Sequence, residues 1–139
     1  MDVRVSPYNE LGLGTGWPKE VILCDVTMRD GEQTPGVAFS LEEKTELAKR
    51  LDRMGVPQIQ VGLPGRSKAA RLEAEQICRI KLDSKKELMT RGTYEGWRDD
   101  ILAAIDCGAD ILHSYFPMSE YIRGMYTPLS DREILLRAG

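Results

Sequence analysis

The sequence predicts an α/β fold, the N-terminal portion of a TIM (β/α)8 barrel about four βα units long. Three observations carry that expectation. Short apolar, β-branched segments alternate with amphipathic ones in the order β-α-β-α-β-α-β-α, one unit per roughly thirty residues, the length that parallel crossovers need. That order calls for a parallel sheet with helices outside it. In the first two strands, one parity is polar and the other apolar. A doubly wound sheet is buried on both faces and prefers apolar residues on both. A barrel strand is apolar outside and turns polar inside near its C-terminal mouth.

Taken in order, residues 1–19 are rich in Gly and Pro, lack a period and read as an N-terminal extension; residues 20–139 read as the partial barrel domain. GLGTG, at 12–16, precedes a strand instead of following one, so it reads as a flexible turn and not a phosphate loop. Residues 20–27, EVILCDVT, are the first strand, with Asp25, Thr27 and Arg29 on one parity and Cys24, Val26 and Met28 on the other. Ser40 and Glu43 form an S-x-x-E capping box that opens the first helix. Leu47, Leu51 and Met54 mark its apolar face, and Gly55 closes it. Residues 57–63 are the second strand, with Gln58, Gln60 and Gly62 opposite Ile59, Val61 and Leu63. The second helix covers 67–80 with Leu72, Ile77 and Ile80 inward. The third strand covers 86–91. The third helix covers 95–107, with Trp97, Ile101, Leu102 and Ile105 inward and Gly108 at its end. The fourth strand covers 109–116. Ser130 and Glu133 repeat the capping box at SDREILLRAG, and a helix that has barely begun is what a truncated chain would show.

The 139 residues suffice for one domain with a core, and 42% hydrophobic with 29% charged residues is ordinary for a soluble globular protein. A net charge of -3, from 22 acidic and 19 basic side chains, gives no electrostatic footprint for nucleic acid or an anionic membrane. No apolar run is long enough to span a bilayer, and the N-terminus lacks the apolar core of a signal peptide, so the expected compartment is cytoplasmic. Cys24, Cys78 and Cys107 are far apart and form no CxxC pair; Cys24 and Cys78 read as small buried residues, and the odd count fits a reducing compartment.

All four strands end in polar groups: Arg29-Asp30-Gly31-Glu32-Gln33 after the first, Gln60 in the second, Thr90 and Arg91, then His113, Ser114 and Tyr115, with Ser119 and Glu120 just beyond. A lone histidine such as His113 is more often a hydrogen-bonded structural residue than a ligand or base, and Arg91 could pair with a surface acid. A carboxylate directly after a barrel strand, such as Asp30, can ligate a hard divalent cation. The adjacent Arg29 guanidinium can stabilise charge developing on a carbonyl or carboxylate oxygen, and Gln33 can orient a second oxygen. Such a set suits an enolate or alkoxide intermediate; a polar surface turn with an Arg–Asp pair fits the same residues.

DVTMRDGEQTPGVAFSLEEK resembles the signature of the DRE-TIM metallolyase superfamily, which usually reads D-T-T-L-R-D-G-E-Q-x-P-G. LAKRLDRMGVPQIQVGLP resembles that family's following helix and second strand, LMTRG its third strand, and CGADILHSYFPMSEYIRGMY its fourth strand and loop. Over residues 19–139 the sequence is most similar to the branch of homocitrate synthase, 2-isopropylmalate synthase and citramalate synthase. The resemblance implies a pyruvate carboxyltransferase-like barrel domain and an acyltransferase of amino-acid or cofactor biosynthesis. Its reaction would be a metal-dependent Claisen condensation of acetyl-CoA with a 2-oxo acid, using Mg, Mn or Zn. It implies Asp30 as a metal ligand and Arg29 as the catalytic residue that stabilises charge on the 2-oxo acid oxygen and the enolate. Gln33, Gln60, Arg91 and Ser119 fall on substrate-side positions. The alternatives are a carbon–carbon lyase or carboxyltransferase of the same superfamily, an inactive half-barrel, or a subunit of a split enzyme. Two departures stand out. Gln60 replaces a usual Glu, and the late H-x-H metal pair is absent, since His113 is the sole histidine. The chain is therefore expected to be a homo-oligomer or to need a C-terminal half-barrel.

Overall fold

The structure, a computed structural model, describes residues 19–117 and 119–139; all but the last residue of the expected extension at 1–19, GLGTG included, lies outside them. Four strands form one sheet: β1 (Cys24–Asp25), β2 (Gln58–Gly62), β3 (Lys85–Arg91) and β4 (Ile111–Tyr115). Five α-helices accompany them: α1 (Leu41–Arg53), α2 (Lys68–Cys78), α3 (Trp97–Asp106), α4 (Glu120–Tyr126) and α5 (Asp131–Ala138). Every strand pairing is parallel and the order across the sheet is β1-β2-β3-β4. Each crossover thus moves one strand further in the same direction. A doubly wound sheet reverses its order at a switch point, whereas a barrel does not, so this is the N-terminal portion of a TIM-barrel arrangement.

Local chemistry fixes the helix ends where the sequence places them. Glu43 N–H donates to Ser40 Oγ at 3.2 Å while Ser40 N–H donates to Glu43 Oε2 at 2.7 Å, and Ser130 and Glu133 repeat the box at α5. Gly55 and Gly108, at φ 77° and 84°, follow α1 and α3 in the left-handed region that a Cβ disfavours. Met28, Ala48, Ile59, Val61, Ile77, Leu88 and Ala104 are among the buried residues that pack between sheet and helices.

Several expectations are corrected. The first strand is two residues long instead of eight, because the chain turns at once: the Val26 carbonyl accepts from the N–H groups of Arg29, Asp30 and Gly31. Its parity is also reversed. Cys24 is in register with Gln58, and Asp25 with Ile59, so Cys24 takes the polar face and is exposed, not buried. Asp25 instead caps the turn, accepting from Thr27 N–H at 3.0 Å and Thr27 Oγ1 at 3.2 Å. Met54 is 77% exposed, and Leu72, Leu102 and Ile105 also face outward. The buried face of α1 is Lys44, Ala48 and Leu51, and that of α3 is Asp100, Ala103 and Ala104. In each helix a paired charge takes part of the buried face, beside Ala48 and Leu51 in α1 and beside Ala103 and Ala104 in α3, and Met54, Leu102 and Ile105 are left outside. Two 3-10 turns, Gly31–Gln33 and Pro64–Arg66, and α4 are additions to the expected elements. Among the described residues, no helix is long and apolar enough to cross a membrane.

Candidate active site at the strand ends

The turn after β1 is held from several sides. Thr34–Val37 is a β-turn closed by the Val37 N–H on the Thr34 carbonyl at 3.0 Å, with Pro35 at its second position and Gly36 at its third, where φ is 86°. Glu32 points down into the protein, accepting from Phe39 N–H at 3.3 Å and from Lys44 Nζ at 2.9 Å. The buried Lys44 ammonium also donates to Glu73 of α2 at 2.8 Å. Burial works against the Lys44 charge, but the hydrogen bonds to Glu73 and Glu32 outweigh it and raise its pKa. Glu32 therefore anchors the turn, which leaves Arg29, Asp30 and Gln33 to face the mouth. Arg29 Nη1 donates to Asp30 Oδ1 at 2.7 Å. Arg29 Nε is buried and has no protein partner among the described residues, while Asp30 is 62% exposed.

These residues open onto a cleft of about 930 Å³ at the C-terminal ends of the strands. Arg29, Asp30, Gln33, Gln60, Arg91 and His113 line it, between apolar walls that include Val26, Leu63 and Met89. Five of the six expected site residues are thus brought together. The sixth, Ser119, is the N-cap of α4 and stands outside the lining.

Arg91 is firmly held. Its Nε and Nη2 donate to the two oxygens of Asp100 at 2.7 and 2.9 Å, Nη2 also donates to the Gly65 carbonyl at 3.0 Å, and the guanidinium lies 3.9 Å from the Tyr94 ring centroid. The hydrogen bond with Asp100 raises its pKa further. Arg91 therefore pairs with a buried acid and not with a surface one. A Cβ at Gly65 would collide with the Asp100 carboxylate, so the close approach of the Pro64–Arg66 turn requires glycine.

The residue that sequence reasoning missed is Glu87. Its side chain is 5% exposed and lies at the centre of the inner face, in register with Gln60. Its Oε2 accepts from the Gln58 amide and, at 3.9 Å, faces the Cys24 thiol; its Oε1 accepts from the Gln60 amide and lies 2.9 Å from His113 Nδ1. Burial raises the Glu87 pKa, but hydrogen bonds from Gln60, His113 and Gln58 outweigh it and hold the carboxyl below its ordinary value. Partial desolvation of the sulfur beside Glu87, then the Glu87 and Asp25 charges, push the Cys24 thiol up to about 11, so it remains protonated at neutral pH. The signal for Glu87 was present in the alternation of KKELMTR, where it shares a parity with Arg91. The same alternation corrects the rim inventory. Thr90 and Ser114 are in register on the other parity and bond each other at 2.9 Å instead of facing the cleft with Arg91 and His113.

A divalent cation wants several oxygen or nitrogen ligands. Among the described residues, no three His, Cys, Asp or Glu side chains converge to hold one. Asp30 can offer a carboxylate at the mouth, but both Glu87 oxygens are already engaged. The described residues do not by themselves fit a complete metal centre.

Parallel βα units in unreversed order, with a cleft at the C-terminal ends of their strands, define a barrel-type α/β domain. The chain belongs to the HMGL-like family, whose profile matches residues 20–138. It is 37% identical over 118 residues to a 2-isopropylmalate synthase of Methanocaldococcus jannaschii, covering 85% of this chain and 22% of that protein. It is 38% identical over 133 residues to the homocitrate synthase AksA of Methanopyrus kandleri, covering 95% and 32%. A homocitrate synthase subunit alpha of Clostridium pasteurianum is 37% identical over 98 residues, covering 70% and 35%. The chain spans 22% to 35% of the length of these curated relatives.

Proposed function

We propose that this chain carries the N-terminal part of the active site of a cytoplasmic acyltransferase that condenses acetyl-CoA with a 2-oxo acid, as in homocitrate, 2-isopropylmalate or citramalate synthesis. The observation that carries this reading is the Arg29–Asp30 pair at the mouth of the cleft, with Gln33 beside it. The Arg29 guanidinium, whose buried Nε has no protein partner among the described residues, would take up charge on a keto or thioester oxygen. Gln33 orients a second oxygen, and Arg91, fixed by Asp100, meets a carboxylate. The Gln60 amide nitrogen is committed to Glu87, which leaves its carbonyl oxygen for a hydroxyl. Ser119 serves at the lip, the apolar walls receive the alkyl part of the acid, and Asp30 contributes one ligand to a divalent cation (Mg, Mn or Zn) whose other ligands lie outside the described residues. Residues 20–139 act as the partial barrel domain behind an extension at 1–19. A relative named as a subunit favours one variant of this reading, in which the chain works as a homo-oligomer or beside a polypeptide bearing the remaining barrel strands.

Calorimetric titration of 2-oxoglutarate, 2-oxoisovalerate and pyruvate, with each metal present, tests the assignment. One acid is expected to bind saturably, and Arg29→Ala is expected to weaken it at least tenfold, about 1.4 kcal/mol. If no acid binds, or if Arg29→Ala binds as well as the parent, the reading fails.

A further inference from the structure

We propose that Lys44 is a positioning residue for the Arg29–Asp30 pair, holding the strand-end turn from behind through Glu32. This role rests on the condensation reading above for what Arg29 and Asp30 meet, and on geometry for how they are held. The turn is a thin wall. Arg29 and Gln33 border the cleft in front, and both also border a second cavity of about 50 Å³ behind, where Glu32, Lys44, Arg66 and Glu73 stand. A side chain in a filled core is fixed by contact on every side, but this turn has space on two, so directed bonds must set its seat. The backbone hydrogen bonds of Arg29–Gln33 stay within residues 26–34. Among the described residues, the bonds that tie this stretch to the chain beyond it run through Glu32, which accepts from Phe39 N–H at 3.3 Å and from Lys44 Nζ at 2.9 Å.

Of those two donors, Lys44 is the one that joins the turn to the helical layer. It is buried on α1, and its ammonium also donates to Glu73 of α2 at 2.8 Å. Charge, not bulk, is what this position supplies. An apolar side chain there would leave two carboxylates facing one gap with no cation between them. Glu32 would then turn toward solvent, and the cavity behind would let the wall follow. Asp30 and Gln33 share the short turn with Glu32, and Arg29 Nη1 is bonded to Asp30 at 2.7 Å, so all three mouth groups shift together. Lys44 itself stands outside the lining of the cleft. Displacing aligned groups by about 1 Å can cost on the order of a hundredfold in rate, which is how a residue that touches no ligand enters the chemistry.

The buried Arg29 Nε–H reports the seat of the turn. In the 15N-labelled full chain its signal is assigned by its loss in Arg29→Lys, and its exchange with water is read by saturation transfer. Lys44→Met is expected to speed that exchange at least tenfold. Glu73→Gln breaks the same network on the α2 side and leaves Lys44 on Glu32, so it is expected to stay within twofold of the parent, although both variants unfold at lower urea. Glu32→Leu, at a part-exposed side chain, cuts the bond from the turn side and is expected to match Lys44→Met; it carries the comparison if Lys44→Met does not fold. Unchanged exchange in these two variants, or equal acceleration in Glu73→Gln, would overturn the role, and so would a parent Nε–H that exchanges as fast as free arginine, which needs no variant. The 2-oxo acid that binds the parent is expected to bind Lys44→Met at least tenfold more weakly and Glu73→Gln within twofold. Acid binding that Lys44→Met leaves intact removes Lys44 from the site and keeps the condensation. If no acid binds the parent, the condensation fails and the exchange comparison still decides how the turn is held.

Discussion

At the scale of single residues, the cleft is built from two kinds of side chain, those aimed at it and those that hold the aim. Arg91 belongs partly to each, because both oxygens of the buried Asp100 close on its guanidinium. Removing one partner of a buried pair leaves the other charge uncompensated. Asp100→Ala is expected to cost about 3 kcal/mol in urea unfolding, with Asp100→Asn costing less; equal stabilities of all three chains would contradict that role. Arg29, Asp30 and Gln33 were legible because they are contiguous in the sequence and face one mouth in the structure. Glu87 was not, because its partners Gln60 and His113 lie 27 and 26 residues away and only strand register assembles them. Arg91 was legible as a rim residue, but its partner was not, since nothing local marks Asp100 as buried.

At the scale of elements, helix ends could be read and helix faces only in part: Leu51 and Ile77 are buried and Leu47 and Ile80 pack on the core as expected, whereas Met54, Leu72, Leu102 and Ile105 face outward. A cap is settled within four residues, as the reciprocal bonds of Ser40 and Glu43 show. Ser40→Ala is expected to lower stability by about 1 kcal/mol, seen as an earlier denaturant midpoint with unchanged slope. A face depends on what the neighbouring layer offers. On α1, Glu32 and Glu73 draw Lys44 inward and leave Met54 outside; on α3, Arg91 draws in Asp100. The reversal of parity in β1 has a similar origin. Alternation applies only while the chain stays extended, and after Asp25 the Val26 carbonyl gathers three N–H groups into a turn. Arg29 reaches the mouth through that turn.

For the whole molecule, the order of βα units was legible because each carries its own period and stop signals, and the observed sheet follows that order without reversal. Several carboxyls set the response of this fold to acid. Glu87 is held low by its amide and imidazole partners against the opposing effect of burial, and Asp110 by the Lys86 backbone N–H at 2.9 Å. A carboxyl with a depressed folded pKa stabilises the fold above its unfolded value, and that contribution is lost as pH falls through the folded one. Melting temperature is therefore expected to decline once pH drops below the ordinary values of 4.5 for Glu87 and 3.8 for Asp110. Glu87→Gln should melt lower at neutral pH and show a shallower decline in acid. Circular-dichroism melts across that range check both, and parallel curves for the two chains would remove Glu87 from the account.

Each strand pairs with the strand one crossover earlier, so no ladder waits for a distant part of the chain. The loops closed by Gln60–Glu87 and Glu87–His113 are nearly equal in length, and closing each costs nearly the same entropy. The polypeptide can accordingly assemble unit by unit from its N-terminal side as it leaves the ribosome. The Glu87 carboxylate meets its amide partners first and waits for the imidazole, which arrives with the fourth strand.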